Sequence, residues 1–158
     1  MDRLRKTLIL FAVIAVPAAA HSTFAPQDEF CFASGSSTYR LMQQASSPDF
    51  RIKIDNAARR PDLRMQLVDR PEIADFVLTD GYYDTAPGNA CKSPAPVKTI
   101  KLDNETLKAD VTVSLAKGDT FPDYKIYVHS TRFSHRDAAA MLAALWKAQQ
   151  SLQLAEHR

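Results

Sequence analysis

The chain predicts an α+β fold: a six-stranded, mostly antiparallel sheet of two repeated three-strand meanders, with a short N-terminal and a longer C-terminal helix on one face. Three observations carry that expectation. Six segments alternate apolar and polar residues with a period of two. Residues 52–80 match residues 100–128 at a fixed offset of 48, with seven identities in 29 positions. One late segment carries apolar residues at helical spacing.

The first twenty residues, MDRLRKTLILFAVIAVPAAA, have the layout of a secretory signal. Arg3, Arg5 and Lys6 form a basic start, Thr7 to Val16 an apolar run, and Ala18, Ala19 and Ala20 a small-residue cleavage site. The run is far shorter than the ~20 residues that span a bilayer. The expectation is therefore a cleaved signal at 1–20, a flexible lead at 21–29, one domain at 30–150 and a frayed tail at 151–158, exported to the periplasm or beyond. No membrane span remains after cleavage. The signal carries three of the 20 Lys/Arg and one of the 18 Asp/Glu, leaving 17 of each. The net charge of +2 belongs to the export signal, and no bulk attraction to nucleic acid follows. Cys31 and Cys91 both fall in the mature part. An even count in an oxidising compartment fits one bridge, the alternative being two buried thiols.

Phe30 to Ala33 reads as a short strand. Thr38, Leu41, Met42 and Ala45 then sit at i, i+3, i+4 and i+7, which predicts the short helix. In the first meander Ile52 and Ile54 face inward, as do Leu63, Met65 and Leu67, and Phe76 and Leu78. In the second, Ile100 and Leu102, Val111, Val113 and Leu115, and Tyr124, Ile126 and Val128 do the same. One wet face per strand is the habit of antiparallel sheets. The links Asp55–Asp62 and Asp103–Asp110 suit hairpins, being too short and too little helical for parallel crossovers. The aligned positions reflect either an ancestral duplication or two meanders converging on the same turn chemistry. Gly81–Pro96, rich in Pro and Gly, reads as a surface loop pinned through Cys91.

The long helix opens with Ser134 and Asp137, close to a capping box. Its expected buried stripe is Ala138, Met141, Leu142, Leu145 and Trp146, with Ala140, Ala143 and Lys147 outward. A core Trp146 would cost about 3–5 kcal/mol on truncation to Ala.

His129 and His135 are the pair most suggestive of metal ligands, but no third ligand lies at a metal-binding spacing, so neither metal nor cofactor is expected. Asp75, Asp80, Tyr82 and Tyr83 cluster at one strand end; Asp75 and Asp123 each precede a strand and read as turn residues. Asn104-Glu105-Thr106 fits a glycosylation sequon, relevant only to a eukaryotic secretory route. On the wet face, parity gathers Arg51, Lys53, Arg64, Lys101, Lys125, Tyr127 and His129, with Gln66, Thr112 and Ser114 and no acid among them. The acids sit at strand ends.

Three stretches, Pro71–Leu78, Tyr124–Ser130 and Arg132–His135, together resemble a family of small exported alphaproteobacterial proteins with no assigned activity. The first is also similar to a turn-and-strand of periplasmic envelope-assembly accessory proteins. The resemblance implies a bacterial envelope setting and no mechanism. The functional expectation is a non-enzymatic envelope binding or accessory module that engages an anionic partner through its basic sheet face. The alternatives are a small hydrolase or metal-dependent enzyme using His129 and His135, and a disulfide-stapled inhibitor or toxin presenting the Gly81–Pro96 loop.

Overall fold

The computed structural model describes residues 30–34, 36–42, 44–79, 96–118 and 121–156. The expected signal and lead at 1–29, and Asp80, Tyr82, Tyr83 and Cys91 of the expected long loop, lie outside the described residues. Eight strands run in chain order as β1 (Phe30–Ser34), β2 (Ser37–Met42), β3 (Phe50–Ile54), β4 (Leu63–Leu67), β5 (Phe76–Thr79), β6 (Val97–Leu102), β7 (Val111–Ala116) and β8 (Tyr124–His129). A 3-10 turn at Pro71–Ile73 precedes β5, and helix α1 (His135–Glu156) closes the fold.

The strands form one sheet in the order β1-β2-β6-β3-β7-β4-β8-β5, curled into a half-barrel. This replaces the expected six-stranded antiparallel sheet with two helices. Among the described residues only β1 and β2 pair antiparallel; the other six pairings are parallel. The expected meanders do not pair internally. β3, β4 and β5 interleave with β6, β7 and β8, and β6 also pairs with β2.

The links are short because the strands are staggered. Ile54, the last residue of β3, and Leu63, the first of β4, both lie opposite Val113 of β7. Likewise Leu102, ending β6, and Val111, opening β7, both lie opposite Ile52. A usual parallel crossover must carry the chain back along the whole strand. Here Asp55–Asp62 only steps across one strand, about 10 Å at a sheet spacing of ~4.8 Å, within the reach of ~26 Å that eight residues allow. That removes the length objection to parallel pairing.

The expected first helix is strand β2. Its buried residues are Thr38 and Tyr39, adjacent rather than helically spaced. Tyr39 stacks on Phe32 of β1 at 5.2 Å, with Lys98 over its ring at 5.8 Å. β-branched and aromatic residues favour the pleated geometry.

The alternation itself holds. Ile52, Leu63, Met65, Ile100, Val111, Val113, Leu115 and Ile126 are buried on one face of the sheet. α1 covers that face, and its cap is reciprocal: the Asp137 carboxylate accepts from the Ser134 N–H at 2.9 Å and hydroxyl at 2.7 Å, while the Ser134 hydroxyl accepts from the Asp137 N–H at 3.2 Å. Ala138 and Met141 of the expected stripe are buried, but the rest of the buried side of α1 is turned from it. Ala139, Ala140, Ala143 and Ala144 join the core cluster fully buried, whereas Leu142, Leu145 and Trp146 are half-buried at its flanks. Alanines let the helix axis approach the sheet, and the larger side chains fill the sides. α1 runs on through Glu156, with Ala148 buried and residues 151–153 exposed. Among the described residues, no helix is long and apolar enough to cross a membrane.

Candidate functional site

The outward sheet face is built by the residues that alternate with the buried ones along β3, β4, β6, β7 and β8. Arg51 and Lys53 of β3, Arg64 and Gln66 of β4, Lys101 of β6, Thr112 and Ser114 of β7, and Lys125, Tyr127 and His129 of β8 all share it by parity with their buried neighbours. Arg64, Lys125 and His129 are exposed; Arg51, Lys53, Lys101 and Tyr127 are half-buried.

The strand starts repeat one device. An aspartate stands immediately before β3, β4, β5, β7 and β8, and each reaches back to the preceding strand in the sheet. The Asp110 carboxylate accepts from the Arg51 N–H at 2.6 Å. Asp62 does so from Thr112 at 2.7 Å, Asp123 from Arg64 at 2.7 Å and Asp75 from Lys125 at 2.7 Å. In each of these four the aspartate's own N–H also donates to the carbonyl of that same residue, at 2.8 Å. Asp49 acts on Thr99, accepting from its N–H at 2.6 Å and its hydroxyl at 2.8 Å. Asp75 and Asp123 were expected to be turn residues; they also bind the neighbouring strand.

The crossovers add a second tier. Asn56 accepts from the Leu115 N–H at 2.8 Å, and Asn104 from the Ile54 N–H at 3.3 Å. Asp62 and Asp110, Asp75 and Asp123, and Asn56 and Asn104 are each 48 residues apart and hold matching places in the sheet.

This arrangement changes the electrostatics of the face. Stagger sets the acids beside the bases: Asp110 beside Arg51, Asp123 beside Arg64 and Asp75 beside Lys125. Lys53 lies 3.5 Å from the Asp55 carboxylate and Lys101 3.1 Å from that of Asp103. The Lys101 ammonium, through its hydrogen bond first, holds the Asp103 carboxyl below the usual carboxylate range. Arg51 lies directly opposite Lys101, a like-charge contact that these acids relieve. Lys53 of β3 and Lys101 of β6 are thus ion-paired and half-buried. The more open group is on β4 and β8, where Tyr127 and His129 stack with ring centroids 6.5 Å apart and planes 10° apart.

The alternative sites are less developed. His129 and His135 are both exposed, and among the described residues no group of three or more His, Cys, Asp or Glu converges as metal ligands. A shallow cavity of about 340 Å³ lies where β4 and β8 begin, lined by Asp62, Leu63, Asp123, Tyr124 and Trp146. Sequence reasoning missed it because it depends on β4 and β8 being neighbours. Cys31 is buried on edge strand β1, and its pairing with Cys91 remains a proposal. No protein-family model matches this chain, and no curated protein or solved structure matches it at a significant level.

Proposed function

We propose that the mature chain is a non-enzymatic binding module of the bacterial envelope, exported to the periplasm or beyond, that holds an anionic envelope component on the β4–β8 part of its outward sheet face. One observation carries this reading. Parallel sheets are ordinarily covered on both faces, yet among the described residues α1 packs on one face and the other presents Arg64, Gln66, Lys125, Tyr127 and His129. Side-chain donors and a stacked aromatic pair suit phosphate or carboxylate groups. Asp75 and Asp123 are occupied by backbone N–H groups, which reduces their repulsion of an anion.

The test is binding of the mature protein to anionic envelope-lipid vesicles and to cell-wall sacculi at low salt. Arg64→Glu with Lys125→Glu should weaken the association at least about tenfold, one decade corresponding to ~1.4 kcal/mol. Lys53→Met with Lys101→Met, which touches only acid-paired lysines, should change it far less. Binding to either probe that is indifferent to the Arg64 and Lys125 reversal would rule the face out.

A further inference from the structure

All six parallel pairings run between two parts of the chain. β2, β3, β4 and β5 come from residues 30–79; their partners β6, β7 and β8 come from residues 96–129. The five aspartate bonds also join these parts, at separations of 50 or 59 residues. Within residues 30–79 the strand pairing is the β1–β2 hairpin alone, and within residues 96–156 no described strands pair. Each part is therefore the other's complementary surface, matched in register and in carboxylate-to-amide contacts.

We propose that this chain forms a strand-exchanged dimer, in which residues 30–79 of one copy zip into residues 96–156 of a second copy and the reverse. Every described strand pairing and aspartate bond is kept, and α1 stays with β6, β7 and β8. The exchange alters only which copy's residue 96 follows residue 79. Exchange of identical elements is a low-cost route to a dimer for this reason. Closure within one chain competes at the effective concentration of a short linker, of millimolar order. Folding at about 10 µM should then give monomer, and folding at about 1 mM should give comparable amounts of both forms. Leaving either form breaks all six parallel pairings, so the two interconvert only through unfolding.

The experiment refolds the full mature chain at both concentrations, under matched redox conditions, and measures mass by light scattering. The expected result is a dimer formed at about 1 mM that persists after hundredfold dilution. Full-length Met65→Pro and Val113→Pro chains, lesioned in opposite parts, are then refolded separately and mixed. Each alone should lack a folded sheet, whereas the mixture should recover a dimer with one sound lobe and about half the native circular dichroism. Monomer only at 1 mM, a dimer that dissociates on dilution, or a persistent wild-type dimer without recovery in the mixture would each overturn the proposal.

Discussion

Asp110 holds both backbone groups of Arg51: its N–H donates to the Arg51 carbonyl at 2.8 Å, and its carboxylate accepts from the Arg51 N–H at 2.6 Å. The pair joins the residue before β7 to the second residue of β3, 59 positions earlier. Asp62, Asp123 and Asp75 repeat it along the sheet. A parallel ladder leaves backbone donors unpaired where a staggered strand begins, and the aspartates fill those places.

Replacing Asp110 by Ala should therefore destabilise the fold by about 1–2 kcal/mol, the range of a charge-assisted bond reduced by partial solvent access. Asp110→Asn, which keeps an acceptor, should cost less. Urea unfolding followed by circular dichroism gives both values, and equal stability of the Ala variant and the parent would show the contact to be idle.

The two crossover asparagines should rank in a fixed order. Asn56 takes a part-buried N–H at 2.8 Å, whereas Asn104 takes an exposed one at 3.3 Å. Asn56→Ala should cost about 1–2 kcal/mol, and Asn104→Ala visibly less. The comparison of denaturation midpoints checks the ranking.

On α1 the alanines should matter more than their size suggests. Ala143→Leu adds a large side chain where the helix meets the sheet and should cost about 1–3 kcal/mol or prevent folding. Trp146→Ala should cost about 2 kcal/mol, below the ~3–5 of a fully buried ring, because the ring is half-buried.

Asp103 supplies a pH test. Its folded pKa is lowered, so its contribution to stability is present above the unfolded carboxylate pKa and is lost as pH falls through the lowered folded value. Lys101→Met should raise the Asp103 pKa toward the ordinary range in an NMR carboxyl titration. An unchanged titration would assign the shift to another source.

Parity was legible in the sequence because alternation reports which side of a strand is buried. Ile52, Val113 and Ile126 fall where it put them. Neighbour identity was not legible, since stagger leaves no local mark and an eight-residue link such as Asp55–Asp62 reads as a hairpin when strands are assumed level. The β2 helix expectation failed because Leu41 and Met42 fit helical spacing while Thr38 and Tyr39 had the stronger claim to a pleated edge. On α1, ranking by hydrophobicity favoured Leu145 and Trp146, but closeness to the curled sheet selected Ala140 and Ala143. Parity sets Arg51, Lys53, Arg64, Lys101 and Lys125 on the face opposite the buried residues. The aspartates beside them were hidden by the same stagger, which moves a strand-end acid next to its neighbour's second residue.

The interleaved sheet is the central claim, and nuclear Overhauser contacts of the Ile52 backbone test it most directly. The account predicts contacts to Leu102 on one side and Val111 on the other, with parallel-sheet patterns. Contacts from Ile52 to residues 63–67 in an antiparallel pattern would contradict it.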